Sequence, residues 1–251
     1  MNDRYCYWSV ATGPDADRME RCVRSARAAG VFRDFHVLTD RPIADCECYD
    51  AYESDRAHGL FQLHYLKAGM TRLNYEGFVW LAPDTVFVGS PDDMLGALGR
   101  APIHVPLEVD LTEVTSGAVW QSMELDRVRQ LMTLLGVTGS PWLGRSDFWI
   151  VRREAIETVY ELAVGFWHKA KEAGFSVEVS ACLAFAQQML GADIESHRLL
   201  RRPDLWGGAA IGQFSLRLPD GKPWLWQPPL GGEPMEICPA IVGLSRDGIT
   251  A

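Results

Sequence analysis

The opening forty residues set the strongest limit on the fold. An aromatic and β-branched run, Tyr5 to Val10, gives way at Ala11-Thr12-Gly13-Pro14-Asp15 to a stretch in which Met19, Cys22, Val23 and Ala26 recur at helical spacing. Asp15 is the expected N-cap of that helix and Gly30 its expected stop. Phe35 to Leu38 forms a second apolar run, closing on Thr39-Asp40. Strand, helix and strand in so short a span make the βαβ unit of a parallel sheet, whose crossover is right-handed. Open sheets of this kind bind ligands beyond the carboxyl ends of their strands.

The rest of the chain extends the pattern. Leu60, Leu63, Leu66, Met70 and Leu73 predict a helix. Phe78-Val79-Trp80-Leu81 suits a central strand covered on both faces. Ala82-Pro83-Asp84 interrupts it, and Thr85 to Val88 resumes strand character. Ser90-Pro91-Asp92-Asp93 reads as a helix start, with an N-cap, a first-turn proline and two first-turn acids. In the second half, Leu125, Val128, Met132 and Leu135 predict a helix ending at Gly136, and Asp147 to Val151 a strand. Ile156, Val159, Ala163, Phe166 and Ala170 mark the buried side of a further helix, and Glu178 to Leu190 is helical again. Phe214 to Leu218, Pro219-Asp220-Gly221 and Pro223 to Gln227 read as strand, turn and strand. Pro228 to Pro239 reads as a surface loop and Ala240 to Leu244 as a last strand.

Composition narrows the classes of function. With 251 residues, 47% hydrophobic and 23% charged, the chain can bury a core without disulfide or metal staples. A net charge of -9 opposes a polyanionic partner, and the densest basic stretch, Arg198, Arg201 and Arg202, is flanked by Glu195 and Asp204. Nucleic acid is therefore not an expected partner. No stretch approaches the roughly 18 apolar residues of a membrane helix, and no apolar leader follows Met1 to Arg4. Cys46 and Cys48 stand one residue apart, the spacing of neither a zinc knuckle nor a redox motif, and the other four cysteines are scattered. The expectation is a cytoplasmic protein with reduced thiols and no membrane span.

Asp84 falls where a central strand breaks, at the ligand-binding edge of the sheet. A carboxylate there suits a hard cation bridging a diphosphate, though Pro-Asp is also common turn chemistry. The block Trp80-Leu81-Ala82-Pro83-Asp84-Thr85-Val86-Phe87-Val88-Gly89-Ser90-Pro91 resembles the strand, Asp-x-Asp and strand of the GT-A glycosyltransferases. It is most similar to the glycosyltransferase family 8 branch, with Ala82 in place of the first aspartate. Other pieces fall in the same order. Val10-Ala11-Thr12-Gly13 resembles the first nucleotide-binding turn, Ser25 sits in the following helix, and Leu38-Thr39-Asp40 looks like the second strand end. Asp147 to Arg153 is similar to a strand near donor sugar and acceptor, and Glu178 to an acidic residue at a helix start.

The resemblance runs from Tyr5 to about Leu190 and implies an α/β, GT-A-like fold: three layers, α/β/α, around a mixed, mainly parallel central sheet. It implies a single domain over residues 1–251, with a nucleotide-binding half (1–100) and an acceptor-side half (101–251). The implied function is hexosyltransferase-type transfer from a nucleotide-diphosphate sugar, a UDP-sugar, to a sugar, lipid or protein acceptor. Ala11, Thr12, Gly13 and Asp40 would contact the nucleoside, Lys67 a phosphate, and Asp84 a metal. Glu178 or Asp147 would deprotonate the acceptor hydroxyl if the reaction inverts. Read singly, Lys67 is also an ordinary exposed helix lysine, and Glu178 and Asp147 ordinary polar residues at element ends. The family's C-terminal histidine ligand has glycine, Gly243, in its place, and His197 matches no motif. One carboxylate makes a poor cation site, so Mn²⁺ or Mg²⁺ is expected to bind weakly or not at all. The alternative is a catalytically inactive GT-A-like binding or assembly protein. Trp206, Trp224 and Trp226 could stack on an acceptor sugar or simply fill core and loop.

Overall fold

The computed structural model describes residues 5–51, 60–87, 102–105, 107–110, 119–120, 123–138, 142–144, 148–190, 214–217 and 223–227. Its first elements are β1 (Tyr5–Ala11), α1 (Pro14–Ala28), β2 (Phe35–Thr39) and β3 (Glu47–Asp50). Every residue of β1 and β2 is buried. This is why these strands read as continuous apolar runs and not as alternating ones. The helix caps on Gly13, not Asp15, and begins at Pro14. Proline has no N–H to leave unpaired in a first turn, and Asp15 and Asp17 then sit in the positive end of the helix.

Next come α2 (Phe61–Ala68), a 3-10 turn at Met70–Arg72, β4 (Gly77–Leu81) and β5 (Val86–Phe87). The helix expected to continue to Leu73 breaks at Gly69, and only Met70 remains buried through the tighter turn. Short strands follow: β6 (Ile103–His104), β7 (Leu107–Asp110), β8 (Val119–Trp120) and β9 (Met123–Glu124). Then α3 (Leu125–Leu135), β10 (Trp142–Gly144), β11 (Phe148–Arg152), α4 (Ile156–Glu172) and α5 (Val179–Met189) complete the second half's core elements. A hairpin of β12 (Phe214–Arg217) and β13 (Pro223–Gln227) closes the sequence of described elements.

The main sheet has six strands in the order β3-β2-β1-β4-β11-β6. β1 with β2 and β2 with β3 are parallel, while β11 with β6 is antiparallel, so the sheet is mixed. β5 leaves it and joins the β12–β13 hairpin through Leu225↔Phe87 and Trp226↔Val86.

These elements divide into two compact units. One contains Cys6 to Ala11 of β1, α1, β2, β3, Leu81, β5 and the hairpin. At its centre the Tyr7 ring meets Phe35 at 4.9 Å and Phe87 at 5.3 Å. Met19, Cys22, Val23 and Ala26 of α1 are buried as the periodicity predicts. The Arg27 guanidinium lies over Phe35 and donates to the carbonyls of Val31 (2.8 Å) and Arg33 (3.0 Å), closing the chain after α1.

The other unit holds Tyr5, α2, Gly77 to Trp80 of β4, β6 to β11 and α3 to α5. Trp80 stacks on Trp149 at 6.0 Å. Ile156, Val159, Ala163, Phe166 and Ala170 form the buried side of α4, matching their spacing. A buried Gln187 on α5 accepts the Val105 N–H at 2.8 Å, satisfying a strand-end donor. Arg153 ties α4's start to the carbonyls of Leu73 (2.7 Å) and Thr71 (2.9 Å).

The expected helix start at Ser90–Asp93, the Pro228–Pro239 loop, the strand at Ala240–Leu244 and the basic residues Arg198, Arg201 and Arg202 lie outside the described residues. Gly77 shows how tightly the second unit is packed. A Cβ built there would lie 2.3 Å from Tyr5 Cε1 and 3.2 Å from the Val151 carbonyl oxygen. Gly77→Ala should therefore lower stability by about 1–3 kcal/mol, the usual range for overpacking a filled core. Urea denaturation should show a lower midpoint at an unchanged slope.

Candidate functional site

The strand-end turns of the first unit bring together four of the residues singled out in the sequence. β1 and β2 are parallel with Ala11 opposite Thr39, so their carboxyl ends finish side by side. The segments that leave them, Thr12-Gly13 and Asp40, are joined by one bond: the Gly13 N–H donates to Asp40 Oδ2 at 2.8 Å. Ala11 and Thr12 are buried, while Gly13 and Asp40 are exposed at the rim. Thr12 and Gly13 also open the helix, their carbonyls accepting the N–H groups of Asp15 (3.2 Å) and Ala16 (3.1 Å). The Asp40 carboxylate thus stands beside the N-terminus of α1, where the helix dipole favours negative charge.

The loop after β2 is fixed by a residue that the sequence did not single out. Arg41 pairs with Asp17 and with Glu20 (3.1 Å) on α1. Thr39 Oγ1 donates to the Arg41 carbonyl at 3.0 Å. Exposed ion pairs contribute little stability, but this pair of contacts holds the residue next to Asp40 against the helix.

Asp84 lies on a turn in the same unit. The Thr85 N–H donates to the Ala82 carbonyl at 3.1 Å, and Pro83 stands where a turn favours a preset φ. Thr85 is buried and Asp84 partly exposed. Serine hydroxyls meet the strands on both sides. Ser9 Oγ donates to the Leu81 carbonyl at 2.7 Å, and Ser25 Oγ accepts the Phe87 N–H at 2.9 Å. Burial pushes the Cys22 thiol of α1 well above its ordinary range, and the nearby Cys46 and Asp84 push in the same direction.

Among the described residues, Asp84 is not joined by the further ligands that would hold a metal. Ala82 offers no side-chain oxygen, and among the described residues no three His, Cys, Asp or Glu side chains gather as a ligand set. A hard divalent cation takes six or more oxygens.

Lys67 and Glu178 belong to the other unit. The Lys67 ammonium on α2 pairs with Glu157 of α4 and lies 4.4 Å from the centroid of the Tyr160 ring. Its hydrogen bond to Glu157 raises its pKa. The Tyr160 hydroxyl meets His64 Nδ1 at 3.0 Å, so a polar cluster bridges α2 and α4. Glu178 is the exposed N-cap of α5, with its carbonyl accepting the Ala181 and Cys182 N–H groups at 3.2 and 3.4 Å. Its side chain makes no cap hydrogen bond. Asp147 lies outside the described residues, directly before β11, as do His197, Trp206 and Gly243. Trp224 and Trp226 fall on β13.

No known family model matches the chain, and no curated protein matches it in sequence. Solved structures do match. The galactosyltransferase LgtC, crystallised with donor and acceptor sugar analogues, is similar at a TM-score of 0.50 and 12% identity, over 71% of this chain and 69% of LgtC. The bifunctional glycosyltransferase WbbM, in its apo form, is similar at a TM-score of 0.52 and 12% identity. That match covers 76% of this chain, which spans 38% of the longer protein. The fold is GT-A-like. It is the fold expected from the βαβ start and the interrupted central strand, and at this identity the likeness extends to the fold alone.

In this GT-A-like chain the turn after β1 depends on Gly13, whose φ is 58° and ψ -128°. Nothing lies within 4 Å of a Cβ added there, so backbone strain and not space opposes a side chain. Gly13→Ala should lower stability by about 1–3 kcal/mol, the cost of holding a non-glycine residue in such a region. Thermal unfolding monitored by circular dichroism would read it.

Proposed function

We propose that the chain is a glycosyltransferase that moves a hexosyl group from a nucleotide-diphosphate sugar, a UDP-sugar, to a sugar, lipid or protein acceptor. The observation that carries this reading is the Gly13 to Asp40 bond, which makes one rim of the turns after β1 and β2 in a GT-A-like fold. LgtC, which shares that fold, was crystallised with donor and acceptor sugar analogues. In this reading the chain is similar to the family 8 branch, and Ala82-Pro83-Asp84 is a degenerate form of its Asp-x-Asp motif.

Each residue has a chemical part in the proposal. An ionised carboxylate has about four acceptor sites, so Asp40 can hold Gly13 and still accept from a ribose hydroxyl or a base N–H. Ala11, Thr12 and Gly13 supply a close backbone approach, with α1's N-terminus behind them favouring the donor's negative charge. Asp84 orients the donor by accepting hydrogen bonds. A divalent cation, Mn²⁺ or Mg²⁺, if bound at all, would be held weakly by Asp84 together with the donor's phosphates, and would supply charge stabilisation on the leaving diphosphate. Lys67 contacts a phosphate once its exposed pair with Glu157 opens, which is a weak interaction to break. Glu178, exposed at the start of α5, or Asp147 takes the proton from the acceptor hydroxyl if the reaction inverts.

Calorimetric titration with UDP, and GDP as control, tests the reading. UDP should bind saturably and in preference to GDP. Asp40→Ala and Asp84→Ala should each weaken binding about tenfold or more, the loss expected for a hydrogen bond to a charged group. Added Mn²⁺ should tighten UDP binding by less than about tenfold, given the single carboxylate. Failure to bind either nucleotide would overturn the assignment and leave the non-catalytic alternative.

A further inference from the structure

We propose that Ser25 is a positioning residue for Asp84, acting with Ser9 to clamp both ends of the turn that carries it. The inference rests on the donor-site reading above, but its geometry stands independently of it. The turn is short and has little internal freedom: Pro83 restricts one residue, and the Thr85 N–H closes onto the Ala82 carbonyl. What remains to be fixed is where the turn begins and ends.

Ser9 fixes the beginning. It lies in a strand whose every residue is buried, and it donates to the carbonyl of Leu81, the last residue of β4, at 2.7 Å. Ser25 fixes the end through a directional arrangement. Its hydroxyl proton is committed to the Cys22 carbonyl, 2.7 Å away and one turn back along α1. The oxygen therefore presents lone pairs to β5 and accepts the Phe87 N–H at 2.9 Å. The Phe87 ring is held as well, packed edge-on against Tyr7 at 5.3 Å and Phe35 at 6.2 Å. Both hydroxyls act over long sequence separations, 72 and 62 residues. A partly buried serine on the side of α1 that carries Cys22, Val23 and Ala26 would serve packing alone better as alanine. Its value lies in the bond to the strand that follows Asp84.

The test has two readouts, each on wild type, Ser25→Ala and Ser25→Thr. Amide hydrogen exchange should rise about tenfold at Thr85 and Phe87 in Ser25→Ala, the ratio that corresponds to one hydrogen bond of ordinary net strength. The amides of Trp8 and Val37 in β1 and β2 should not change. UDP affinity measured by calorimetry should fall by a similar factor in Ser25→Ala. Ser25→Thr, which keeps the hydroxyl, should restore both. Unchanged exchange at Thr85 and Phe87 would overturn the clamp. Faster exchange with UDP affinity intact would show that Asp84's role does not depend on Ser25 and would overturn the positioning claim. A wild-type chain that binds no UDP would sink the donor-site reading and with it any donor-positioning role, while the exchange data alone would still decide whether the clamp exists.

Discussion

The bond between the Gly13 N–H and the Asp40 carboxylate exists because two parallel strands end level with each other. A shift of one residue between β1 and β2 would carry Asp40 out of reach of the Gly13 N–H and exchange the two faces of the slipped strand, so that its side chains would meet the wrong partners in both packed layers. That register is held by packing on both faces: Tyr7 meets Phe35 across the pair, and all residues from Tyr5 to Ala11 and from Phe35 to Thr39 are buried. Hydrophobic burial thus does the specifying, and the polar rim is placed as its consequence. The positive φ of Gly13 then lets the chain leave β1 and enter α1 without an intervening loop.

The same economy governs Asp84. Its turn hangs between a buried strand and a short strand that departs to another sheet, and the points of attachment are the hydroxyls of buried Ser9 and half-buried Ser25. Buried hydroxyls are costly unless satisfied, so their partners are strongly specified. Placing them at the two ends of the turn makes the position of one half-exposed carboxylate a property of the core. A site built this way can tolerate the absence of a second carboxylate at residue 82 if its ligand is held mainly by backbone and by Asp40.

Legibility in the sequence followed the source of each element's stability. β1, α1, β2, β4, α3, α4 and α5 were readable from their apolar runs and spacing, and every residue the spacing named on α1 and α4 is buried, with Ala16 of α1 buried in addition. β3 was not readable: Glu47-Cys48-Tyr49-Asp50 is fully exposed at the sheet edge and exists through backbone pairing with β2. The N-cap of α1 fell on Gly13 and not Asp15 because proline at the first helical position outweighed a side-chain cap. Ala11, Thr12, Gly13 and Asp40 could be grouped from the sequence because a βαβ unit brings its strand ends together by topology. Arg41 could not, since nothing local signals a partner on α1, and neither could the pairing of Lys67 with Glu157, 90 residues away. For the clamp, the sequence pointed to Ser25 in the helix after the first turn but gave no sign of its partner Phe87, and Ser9 stood only as a hydroxyl inside an otherwise apolar run.

The central claim is that the turns after β1 and β2, together with the Ala82–Thr85 turn, form the nucleotide-binding edge of this chain. Amide hydrogen exchange with and without saturating UDP locates the ligand directly. The account predicts new protection at Thr12, Gly13, Arg41 and Thr85, with the amides of α3 and α4 unaltered. Protection confined to other segments, or none at any UDP concentration, would contradict it.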